Sequence, residues 1–256
     1  MDAQRGEPGT TLEVLEDTPA LVSAAATTMA RLMERAIRER GRCTLALSGG
    51  STPRPVYGRL AAGELADRIR WRDVHVFWGD ERCVPPDDAA SNYRMAREAL
   101  LDHVPLPAEN VHRMHGELDP PQAAADYEAQ LRRFFAGRPP LPPTARFDVV
   151  LLGLGDDGHT ASLFPGQAAV RETERWVLAE YVEKLAAWRL TLTPVVLDAA
   201  RHVVFLVSGT GKAEALRRVF QEPRDVDAVP AQAVRPSRGE VTWLVDRAAA
   251  GRLEPR

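Results

Sequence analysis

The sequence is short of cysteine, of long apolar runs and of charge of one sign, and each shortage removes a class of protein. Cys43 and Cys83, two cysteines in 256 residues, cannot build a disulfide framework, and neither belongs to a CxxC pair or a Cys/His cluster at zinc spacing. Two buried, reduced thiols are expected. No stretch approaches the roughly 18 uninterrupted apolar residues of a membrane span, and Met1 to Pro8 contains no apolar leader core, so a cytoplasmic protein without membrane contact is expected. Thirty-three Lys plus Arg against 36 Asp plus Glu leave a formal charge of -3, which gives no electrostatic footprint for nucleic acid or a membrane surface. An anionic ligand must be recognised locally.

What remains is a globular composition, 45% hydrophobic and 27% charged, long enough to bury a substantial core. A single domain over residues 1–256, with a small sub-domain formed by insertions, is expected. No repeat of fixed period occurs. The run Arg138-Pro139-Pro140-Leu141-Pro142-Pro143 can be neither helix nor inner strand and reads as a stiff connector.

Short apolar runs predict strands at Cys43 to Leu47, Val74 to Trp78, Phe147 to Leu152, Trp176 to Tyr181, Leu190 to Val196, His202 to Val207 and Val241 to Val245. Helical spacing predicts Ala20 to Arg40, stopped by Gly41, and also Thr52 to Ala62, Tyr93 to Leu101, Ala123 to Phe135 and Lys212 to Phe220. Strands alternating with helices predict an α/β fold: an open, mostly parallel sheet with helices on both faces.

The segments that follow the strands carry the chemistry. They are Ser48 to Pro53, Gly79 to Arg82, Gly153 to Thr160 and Ser208 to Lys212, and in a parallel sheet all four emerge at the carboxyl edge where such folds bind ligands. Ser48, Gly49, Gly50, Ser51 and Thr52 lead from a strand into a helix and suit a phosphate cradle, against the simpler reading of a capped turn. Ser208 to Lys212 adds a cation, yet Leu206 and Ala213 stand where a Walker A loop needs Gly and a hydroxyl. Gly153 to Gly158 matches GxGxxG, but Asp156 and Asp157 would oppose a pyrophosphate, so a dinucleotide site is discounted.

His159, at the presumed start of a helix among acids and glycines, is the histidine suited to general-base work. His75, His103, His112, His115 and His202 read as structural. Asp80-Glu81-Arg82 reads on its own as a solvated loop with one salt bridge, and Lys184 and Arg189 as exposed charges near a strand start.

Taken together, Leu47 to Pro53, Trp78 to Arg82, Ser91-Asn92-Tyr93, Gly153 to Gly166 and Arg189 to Thr193 closely resemble the 6-phosphogluconolactonase family, in order from about residue 12 to 246. Gly158 to Gly166 is the most specific piece. The related glucosamine-6-phosphate deaminases place a glutamate five residues after the corresponding histidine, where this chain has Phe164.

The resemblance implies a Rossmann-like sheet and hydrolysis of 6-phospho-D-glucono-1,5-lactone to 6-phosphogluconate, the second step of the oxidative pentose phosphate pathway. It implies His159 as base, Asp80 or Asp157 orienting the imidazole or the water, and Arg82 on the oxyanion. The phosphate would lie on Ser48 to Thr52 with Lys212, and Lys184 or Arg189 would add charge. No metal and no organic cofactor is required, the partner is the small phosphorylated lactone, and a monomer is expected. The family's prolines before Arg189 are replaced by Leu185-Ala186-Ala187-Trp188. The rival readings are a deaminase-like sugar-phosphate isomerase and a non-enzymatic sugar-phosphate sensor, which would carry a DNA-binding module not legible here.

Overall fold

The structure, a computed structural model, describes residues 3–5, 9–136 and 145–254. The Arg138 to Pro143 connector lies outside the described residues.

Strands β1 (Ala3–Arg5), β2 (Thr10–Leu15), β3 (Cys43–Leu47), β4 (Val74–Trp78), β6 (Val149–Gly153), β9 (His202–Val207) and β10 (Glu240–Asp246) form one sheet in the order β1-β2-β10-β9-β6-β3-β4. The β1–β2 pair is antiparallel and the remaining pairs are parallel, which gives the mostly parallel sheet expected from the sequence. Every residue of β3 is buried, and so are Val203 to Val207 in β9, because both faces of these inner strands are covered. The longest cover is α1 (Thr18–Arg40), which buries Leu21, Met29, Leu32, Met33 and Ile37. It starts on the Asp17 carboxylate, which accepts the Ala20 amide, and ends at Gly41 in the left-handed region, φ 75°.

The other helices are α2 (Pro53–Leu60), α3 (Gly63–Arg68), α4 (Asn92–Ala99), α5 (Pro120–Phe135), α6 (Pro194–Leu197) and α7 (Ala213–Gln221).

A second sheet orders β5 (Asp80–Arg82), β8 (Ala187–Leu192) and β7 (Val177–Val182) as β5-β8-β7, all antiparallel. Gly79 joins the two sheets: its amide donates to Leu47 O in β3 and its carbonyl accepts Leu192 N in β8, both at 2.8 Å. The chain therefore leaves the large sheet at Trp78 and enters the small one at Asp80, which fixes Asp80 on the rim.

Several expectations are corrected. Leu190 to Val196 is not one strand; Pro194 cannot donate to a ladder and its fixed φ opens α6 instead. The strand expected from Phe147 begins at Val149, and the one expected from Trp176 at Val177. Strand β2 and helix α3 went unpredicted. Asp80-Glu81-Arg82 is a strand rather than a solvated loop, with Glu81 only 2% exposed. Its carboxylate accepts the amides of Arg82, Asn92 and Tyr93 and the Ser91 hydroxyl, so the first turn of α4 compensates the buried charge. Cys43 is buried, but Cys83 is half-buried, and both thiols are free. No helix follows His159; turns follow it, with a bridge between Thr160 and Leu163.

Candidate active site

The ends of β3, β4, β6 and β9 meet the β7–β8 hairpin around a cavity of about 440 Å³. His159, Asp80, Arg82, Ser48, Gly49, Gly50, Ser51, Thr52, Lys184, Arg189 and Lys212 all line it, and Asp157 joins through its contact with His159.

The loop after β3 is held by Tyr57 of α2, whose buried hydroxyl donates to Ser48 O at 2.7 Å and accepts Ser48 N at 3.1 Å. The Ser48 hydroxyl itself is buried with no hydrogen-bond partner among the described residues, a polar group available to a ligand in the cavity. Gly49 has no room for a side chain, since a Cβ there would lie 1.7 Å from Asn92 Oδ1. Backbone at this position is thereby left bare toward the cavity, as an anion cradle requires.

His159 Nδ1 lies 2.5 Å from Asp157 Oδ1, and the same oxygen accepts the His159 amide at 3.1 Å. Gly158, with φ 90°, makes the reversal that brings adjacent segments into this contact. An ionised carboxylate only accepts, so Nδ1 carries the proton and Nε2 the free lone pair. Of the two aspartates left open by sequence, Asp157 is the one touching the ring.

Burial pushes the His159 pKa below the ordinary histidine value; Asp80 pulls the other way, and Lys212 adds to the lowering. The imidazole is therefore neutral at pH 7. Asp80 is gripped from the turn after His159 and from the start of α4: Ser162 Oγ donates to Oδ2 at 2.8 Å, and Asn92 Nδ2 lies 3.4 Å from Oδ1. The Phe164 ring packs against the imidazole, centroids 4.3 Å apart and planes tilted by 33°.

The cations divide by surroundings. Lys184 sits at the hairpin tip in contact with Asp157 Oδ2, its Nζ 4.7 Å from the Phe164 ring centre. Arg82 and Arg189 occupy directly opposite positions of the β5–β8 pair. Burial, then the charge of Arg82, lowers the Arg189 pKa, and two like charges facing one another disfavour an empty site. An anion or a developing oxyanion between them relieves that repulsion.

Sequence reasoning missed Asn92, Ser162 and Gly155 as parts of the site. It also missed a compositional signal: Lys184 and Lys212 are the two lysines of a chain with 33 basic residues, and both line this cavity. Among the described residues, no three His, Cys, Asp or Glu side chains converge in a way that could hold a metal ion.

The family described as glucosamine-6-phosphate isomerases/6-phosphogluconolactonase matches residues 16–243. The chain belongs to this family. Within it, the chain is similar to the 6-phosphogluconolactonase of Nostoc sp., at 43% identity over 95% of this chain and 98% of that protein. It is also similar to the 6-phosphogluconolactonase of Mycobacterium tuberculosis, at 39% identity over 94% and 98%. Among solved structures, the 6-phosphogluconolactonase from Trypanosoma cruzi superposes with a TM-score of 0.83 at 30% identity, covering 100% of this chain and 99% of that one. A monomeric glucosamine-6-phosphate deaminase shares the fold, with a TM-score of 0.79 at 20% identity over 94% of this chain and 99% of that one. No helix among the described residues is long and apolar enough to cross a membrane.

Proposed function

We propose that the protein is a 6-phosphogluconolactonase, a single lactonase domain that hydrolyses 6-phospho-D-glucono-1,5-lactone to 6-phospho-D-gluconate in the oxidative pentose phosphate pathway. The observation that carries the reading is the neutral His159–Asp157 pair, set in one cavity with a glycine cradle and four cations.

His159 Nε2 takes a proton from water as the water oxygen bonds to the lactone carbonyl carbon. The carbonyl electrons move onto its oxygen, where Arg82 and Arg189 balance the charge. The tetrahedral intermediate collapses, the bond from carbon to ring oxygen breaks, and the imidazolium returns its proton to that oxygen. Asp157 holds the ring and its tautomer, and Lys184 holds Asp157. Asp80 favours the imidazolium during the proton's stay. The phosphate lies on the Gly49 to Thr52 backbone with the Ser48 hydroxyl and Lys212.

Lys212→Ala tests this division. It should raise KM for the phosphorylated lactone far more than for unphosphorylated gluconolactone, because a lost charge-assisted contact costs about 1.5 to 3 kcal/mol. An equal effect on both substrates would place Lys212 in the fold or the chemistry instead.

The pH dependence follows from the lowered His159 pKa. The base works deprotonated, so kcat/KM should rise with pH through an apparent pKa below the ordinary histidine value. Chelation should leave that profile unchanged, since a histidine base makes water reactive without a metal. A midpoint above 7, or a rate restored only by added divalent metal, contradicts the assignment.

A further inference from the structure

Asp246 is a buried carboxylate, 2% exposed, at the end of β10, and it does not line the cavity. Strand register places Val245 opposite Val207 of β9, so Asp246 stands beside the loop that follows β9. Its two oxygens are saturated with donors from three parts of the chain. Gly209 N lies 3.0 Å from Oδ1 and 3.1 Å from Oδ2, and Ala249 N donates to Oδ1 at 2.8 Å. Ser208 Oγ and, at 3.0 Å, Thr18 Oγ1 donate to Oδ2.

The grip continues into the site. Gly209, held at φ 94° and ψ 153° where only glycine is at ease, accepts the Lys212 amide on its carbonyl at 3.0 Å. One residue, Gly209, therefore links Asp246 to the backbone of Lys212, and Lys212 lines the cavity. Burial pushes the Asp246 carboxyl up, and the hydrogen bonds from Ser208, Ala249, Gly209 and Thr18 outweigh it, leaving the group below its ordinary value and charged.

We infer that Asp246 is a positioning residue for phosphate recognition: acting through Ser208 and Gly209, it holds the loop that presents Lys212 to the substrate's phosphate. The inference rests on the reading of Lys212 as a phosphate ligand. A short buried carboxylate suits the task because it takes several N–H and O–H donors at once, which no neutral side chain of that size does.

The test is Asp246→Asn in the full chain. The amide nitrogen faces donors in place of an acceptor, so the loop must shift. KM for 6-phospho-D-glucono-1,5-lactone should rise about tenfold or more while kcat stays within about twofold. Turnover of unphosphorylated glucono-1,5-lactone should stay within about twofold in kcat/KM. Combined with Lys212→Ala, the substitution should add nothing further, because both changes remove one contact.

A spectroscopic readout separates positioning from mere folding. Reductive ¹³C-methylation keeps the charge of both lysines and gives each a resonance beside that of the chain's terminal amine. Inorganic phosphate should shift the Lys212 signal in the unsubstituted protein, and Asp246→Asn should require about tenfold more phosphate for the same shift. If Asp246→Asn does not fold, Gly209→Ala serves. Open space surrounds its Cβ, but the backbone there resists a side chain, so it should show the same rise in KM alone. Lower kcat on both substrates, full additivity with Lys212→Ala, or an unchanged KM overturns the inference. If Lys212 itself does not bind the phosphate, Lys212→Ala would instead affect both lactones equally.

Discussion

His159→Asn is expected to lower kcat by about two to four powers of ten, with the fold intact. Among the described residues that line the cavity, the imidazole is the one nitrogen base held with a free lone pair, and burial favours its neutral form. Asparagine fills part of the ring's space and still reaches Asp157, but it accepts no proton from water. Residual turnover then comes from the cradle and the paired arginines, which continue to bind and polarise the lactone. His112→Asn is the matched control. Burial and then the neighbouring His75 push the His112 pKa down to about 4, and its ring stacks on Phe77 at 4.3 Å, so its loss touches packing rather than rate. Near-normal turnover of His159→Asn would move the base to Asp80 or Asp156.

Gly155→Ala should cost about a hundredfold in kcat, an effect out of scale with one methyl group. A Cβ at residue 155 would lie 2.0 Å from His159 Nδ1 and 2.7 Å from Asp157 Oδ1. Neither contact is tolerable, and the imidazole is the part that gives way. A displacement of about 1 Å in the base is enough for a loss of that order. The loop carries the change without a core cavity, so thermal stability should fall little. Gly58→Ala, on the exposed side of α2 with nothing within 4 Å of the added carbon, should turn over normally. If both variants behave alike, the close approach at Gly155 does not set the position of His159.

Much of this architecture is legible in the sequence because it follows from burial alone. A strand covered on both faces must be apolar throughout, so β3, β4 and β9 announce themselves, and the polar, glycine-rich segments after them mark the rim. What escapes is set by partners distant in the chain. Three consecutive charges hide β5, since nothing local reveals that the amides of α4 will neutralise Glu81. The choice between Asp80 and Asp157 depends on one glycine turn rather than on composition. Thr18 and Ser208, which meet at Asp246, lie 228 and 38 positions from it. The missing helix after His159 has the same origin: Ala161 at φ 48° closes a tight turn that hydrophobic spacing does not encode. Cys83, expected in the core, falls instead just past the end of β5, where it is half-buried.

Hydrolysis of a phosphorylated sugar lactone in this cavity releases acid, which titration follows directly. Fresh 6-phospho-D-glucono-1,5-lactone is added to the protein in weakly buffered solution near pH 7, and the acid formed is titrated continuously against the spontaneous rate. The account predicts one equivalent of acid per lactone, released far faster than without protein, with the acceleration abolished in His159→Asn and much reduced for the unphosphorylated lactone. A saturable binding signal for the lactone with acid release no faster than the spontaneous rate would contradict it, and would make the protein a sugar-phosphate binder rather than a hydrolase.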